Sequence, residues 1–67
     1  MKPVESSSIA AVGHDPGRRV LSIRFKSGET YHYQDVGGDH HAALLGAKSI
    51  GAHFQKHIRN RFKATKA

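Results

Sequence analysis

The chain has 67 residues, with eleven Lys or Arg against five Asp or Glu and no cysteine. That length leaves room for one core and no second folding unit, and without thiols neither a disulfide framework nor a thiolate metal site can supplement it. No apolar run approaches the roughly 20 residues of a membrane-spanning helix, and none near the N-terminus resembles an export signal, so one cytoplasmic domain over residues 1–67 is expected.

In chain order, Met1 to Ser6 is serine-containing and lacks an apolar pattern, so a mobile end is expected over residues 1–6. Ile9 to His14 reads as a first strand, closed by the turn residues His14-Asp15-Pro16-Gly17. Val20 to Phe25 alternates cleanly, with Leu21, Ile23 and Phe25 on one face and Val20, Ser22 and Arg24 on the other. After Ser27-Gly28, alternation resumes from Thr30 to Gln34, with Tyr31 and Tyr33 on a common face. The fold expected is α+β: a three-stranded antiparallel meander followed by two C-terminal helices.

The second hairpin has two registers. A two-residue Ser27-Gly28 loop pairs Phe25 with Thr30 and leaves both tyrosines as exposed stackers. A three-residue Lys26-Ser27-Gly28 loop, with glycine in the left-handed position, pairs Phe25 with Glu29 and places Tyr31 opposite Ile23 and Tyr33 opposite Leu21. The second is preferred because glycine falls where the loop needs it and the tyrosines enlarge a small core.

Val36-Gly37-Gly38 ends the strand, and Asp39 suits the N-cap of a short helix to about Gly46 carrying Leu44 and Leu45. Ser49 suits the N-cap of a longer helix from Ile50 to about Phe62, whose Ile50, Phe54 and Ile58 recur every fourth position. Lys56, Arg59, Lys63 and Lys66 then gather on the far side. The tail over residues 63–67 has little to bury and is expected to fray.

Charge divides near the middle. Residues 1–39 hold all five acids and five bases, whereas residues 40–67 hold six bases and no acid, so the net +6 belongs to the second part. An unneutralised basic segment raises the encounter rate with polyanions and favours phosphate contact. Cations near a helix C-terminus also complement its dipole, and a basic face aids solubility, so the pattern has a purely structural explanation as well.

Other chemistry has weaker support. His53 and His57 lie one helical turn apart, but Phe54 follows where a HExxH site needs glutamate, and no third ligand is evident, so no metal is expected. His40 and His41 read as surface residues at the start of the short helix. Ser6, Ser7 and Ser8 lack a nucleophile elbow, and Gly37-Gly38-Asp39 lacks the lysine and spacing of a phosphate loop. No constellation supports an enzyme or a cofactor.

The ordered series Ser6-Ser7-Ser8-Ile9, Val12-Gly13-His14-Asp15, Leu21-Ser22-Ile23-Arg24-Phe25, Ser27-Gly28 and Tyr31-His32-Tyr33 resembles the KTSC domain. Leu44-Leu45, Ala47, Ser49, Gly51, Phe54 and Ile58 extend the likeness over nearly the whole chain. That domain is named for the C-terminus of some lysyl-tRNA synthetases and also occurs as a small stand-alone bacterial or phage protein. The resemblance implies a domain for which RNA binding has been suggested from its attachment to a synthetase, an argument by analogy. Gly37 departs from the proline expected after the strand, and His14 from a tyrosine common there.

The reading is a non-catalytic binding module whose partner is RNA or another nucleic acid, contacted weakly and without sequence preference through Lys56, Arg59, Arg61, Lys63 and Lys66. Arg24 and His32, on the solvent face of the sheet, extend that footprint. The rival is a protein-interaction module docking the same basic helix on an acidic partner. A third possibility is a homodimer paired through exposed strand edges.

Overall fold

The computed structural model describes residues 1–67 as a five-stranded antiparallel sheet with two helices. The strands are β1 (Lys2–Pro3), β2 (Ile9–Asp15), β3 (Val20–Phe25), β4 (Thr30–Tyr33) and β5 (Ala64–Lys66), and their order across the sheet matches their order in the chain. Between β4 and β5 run α1 (Gly38–Leu45) and α2 (Ile50–His57). The three central strands are the three expected, the first read from Ile9 to the turn at Asp15-Pro16-Gly17 and the other two from alternation. β1 and β5 correct the expected count of three: both end segments anticipated to be loose contribute short strands at the two edges.

The register of the β3–β4 hairpin follows from Gly28. Its φ of 100° is open to glycine at little cost, and Phe25 N–H donates to the Glu29 carbonyl at 2.8 Å while Gly28 N–H donates to that of Phe25 at 2.9 Å. Tyr31 therefore faces Ile23, and Tyr33 faces Leu21. In the preceding turn the Asp15 carboxylate accepts from the N–H groups of Gly17 and Arg18 at 3.1 and 3.3 Å, and Arg19 takes a positive φ of 56°.

The core gathers Ile9, Val12, Leu21, Ile23 and Tyr33 from the sheet, Val36 from the β4–α1 connection, and Leu44, Phe54 and Ile58 from the helical side. Val36 is fully buried and tied at both ends, its N–H donating to the Arg19 carbonyl at 2.8 Å and its carbonyl accepting from His14 Nε2 at 2.7 Å. A carbonyl can only accept, so the proton of His14 sits on Nε2.

The helices differ in two respects from expectation. Gly37, not Asp39, caps α1, in extended conformation and with no side-chain cap bond; Asp39 lies inside the first turn, where its charge still meets the positive end of the helix. Ser49 caps α2, its hydroxyl accepting from Ala52 N–H at 3.3 Å, but α2 stops at His57 rather than continuing to about Phe62. Ile58 leaves helical geometry at φ −118°, Arg59 N–H reaches back to the Phe54 carbonyl at 2.9 Å, and both Arg61 and Phe62 N–H groups donate to that of Ile58. This tight turn keeps Ile58 in the core and aims the chain back at β4. There the tail pairs in register, Tyr31 with Lys66, His32 with Thr65 and Tyr33 with Ala64.

Candidate nucleic-acid interface

Early termination of α2 redistributes the cations anticipated on one helical stripe. Only Lys56 projects from α2; Arg59, Arg61 and Lys63 belong to the turn that follows, and all four are exposed. Lys66 sits on β5, where its Nζ lies 3.0 Å from Glu29 Oε2. That bond and the charge of Lys66 hold the Glu29 carboxyl below its ordinary range, while Glu29 in turn raises Lys66. Lys66 is thus the one cation of the expected group that is occupied. Arg24 is exposed, but on a β3 position neighbouring in register Thr30 and Ala11, on the sheet face away from the helices, so it does not join the others. His32 shares that outer face and is hydrogen-bonded through Nδ1 to the Ser22 hydroxyl at 2.8 Å.

Between the sheet and α2 opens a groove of about 720 Å³ that the sequence reading did not anticipate. Phe25 and Tyr31 are half-buried along it, whereas Tyr33 and Phe54 are nearly inaccessible, with 5% and 3% of their surface exposed. The rings meet edge to face: Phe25 with Tyr31 at 5.8 Å, Phe25 with Phe54 at 5.6 Å and Tyr33 with Phe54 at 5.3 Å between centroids. Burial raises the Tyr33 phenol above its ordinary value, partly offset by Arg59. Lys26 and Arg59 line the same groove. The two tyrosines therefore differ in burial. Tyr33 belongs to the core, and Tyr31 bridges core and groove, its hydroxyl 3.5 Å from Glu29 Oε2.

The histidines form two surface contacts. His14 stacks on His41 with centroids 4.9 Å apart and rings 18° from parallel; burial, then His14, then Lys2 lower the pKa of His41. His53 and His57 lie 4.6 Å apart, and burial followed by the charges of His57 and His40 lowers His53. No group of three His, Cys, Asp or Glu side chains converges to hold a metal ion. No helix is long and apolar enough to cross a membrane.

Two helices packed on one face of an antiparallel sheet define a two-layer α+β domain. The model of the KTSC domain matches residues 5–62, and the chain belongs to that family. A protein of Tsukamurella paurometabola is 42% identical over 64 residues, 96% of each chain. An uncharacterized protein of Stutzerimonas stutzeri is 40% identical over 53 residues, covering 79% of this chain and 75% of its own. The crystal structure of a KTSC domain protein from Yersinia pestis is similar with a TM-score of 0.93 and 37% identity, over 98% of this chain and 93% of that one.

Proposed function

We propose that the protein is a non-catalytic module that binds nucleic acid, RNA in preference to DNA, through phosphate contacts of Lys56, Arg59, Arg61 and Lys63. One observation carries this reading: of eleven lysines and arginines only Lys66 is ion-paired, so five of the six cations of the second part reach solvent unneutralised. Phosphate contacts position a polyanion without reading its bases, so binding is weak and tolerant of sequence. Four such contacts on a single strand give a salt slope near about −3, a loss of roughly fiftyfold between about 50 and 200 mM salt. Titrating labelled RNA at several salt concentrations measures that slope. A flat salt response, or no binding at low salt, removes the proposal.

A further inference from the structure

The fold places aromatic surface and cations in one groove. Phe25, Tyr31, Tyr33 and Phe54 form its apolar wall, and Lys26 and Arg59 line it too. Its carboxylate, Glu29, is already engaged by Lys66 at 3.0 Å, so an incoming anion meets no free negative charge there. The volume, about 720 Å³, lies within the roughly 300–1,000 Å³ of small-molecule sites. The other depression, about 510 Å³ on the outer face, has Val20 as its one hydrophobic residue and sets the carboxylate of Asp15 in the same lining as its one arginine, Arg18, so it lacks the Phe and Tyr wall.

We infer that this groove is a base-binding subsite, in which one unstacked base of a single-stranded nucleic acid lies against the rings of Tyr31 and Phe25 while its flanking phosphates meet Arg59 and Lys26. The inference rests on the nucleic-acid reading above and deepens it. A base supplies a planar π-face next to a fixed negative charge, which matches aromatic carbon beside cations. An acidic peptide uses the cations alone and gains nothing from the rings. The subsite also makes a distinction that phosphate contact does not: a duplex keeps its bases stacked and cannot fill it.

The composition provides a direct readout. The chain has two tyrosines and no tryptophan, and both tyrosines line the groove, so all intrinsic emission above the phenylalanine range reports on it. The full chain is titrated at low salt with single-stranded oligouridylate, with the same strand annealed to oligoadenylate, and with oligoaspartate, following tyrosine emission and the anisotropy of end-labelled probe. The single strand is expected to quench the emission and to bind more tightly than the duplex. Tyr31→Ala is expected to weaken single-strand binding roughly 5- to 150-fold and leave duplex binding unchanged, whereas Lys56→Ala weakens both alike. Equal affinity for strand and duplex with unchanged emission overturns the subsite and leaves the phosphate reading standing. Absence of binding to either nucleic acid overturns both. Oligoaspartate that matches the strand in affinity and quenching assigns the groove to acidic peptides instead. Should Tyr31→Ala fail to fold, emission and strand-to-duplex preference of the unsubstituted chain decide alone.

Discussion

Gly37 enters α1 with φ −73° and ψ 163°, a conformation that proline shares. Its N–H makes none of the loop hydrogen bonds, so a ring at that nitrogen removes no donor in use. A Cβ built there meets Asp39 Oδ1 at 2.7 Å, the far end of a rotatable side chain, and nothing else closer than Arg19 Nη2 at 3.6 Å. Gly37→Pro is therefore expected to stabilise the protein by about 0.4–1 kcal/mol through the unfolded chain, seen as a rise of roughly 2–6 °C in Tm. A fall in Tm would show that Asp39 cannot turn aside. The position is also where the family resemblance suggests proline, and the backbone there has a φ that proline adopts.

At the scale of elements, what could be read from the sequence followed from how many residues each element had in which to declare itself. Val20–Phe25 and Thr30–Tyr33 announce themselves by alternation, and Gly28 closes the three-residue loop that sets their register at a left-handed position. Ser49 was legible as a cap for the same reason: a hydroxyl just ahead of a four-residue apolar repeat has a mechanical use. Ser49→Ala is expected to cost about 1 kcal/mol, measurable as a lower urea midpoint with an unchanged slope. Lys2–Pro3 and Ala64–Lys66 have too few residues for any period, and their pairing is dictated by the strands they meet. The end of α2 was hidden because Ile58 and Phe62 continue its apolar spacing while the backbone has already turned. That turn moved Arg59 from the expected outward stripe into the groove, which is why the aromatic and cationic residues there did not read as one site in a linear sequence.

The whole molecule carries a net +6 with its six histidines neutral, so acidification adds charge to a chain already positive. His41 and His53 sharpen this dependence. Their folded pKa values lie below the ordinary 6.5, so near that pH the unfolded chain binds more protons than the folded one. Stability from these groups is fully present above about 6.5 and lost as the pH falls through it toward their lower folded values. Urea midpoints are thus expected to decline between about pH 7 and 5, and His41→Gln with His53→Gln to flatten that decline; an unaltered slope in the double variant would assign it to bulk repulsion. Glu29 adds a second loss at lower pH, since its carboxyl is held below the ordinary 4.5. The order of the sheet has a kinetic consequence as well. Each of β2, β3 and β4 pairs with the strand made just before it across a short loop, so most of the search is local, and one long closure, that of β5 after both helices, remains. Assembly should accordingly outpace that of interleaved sheets of the same size, with the groove wall nearest Ala64 the last part to set.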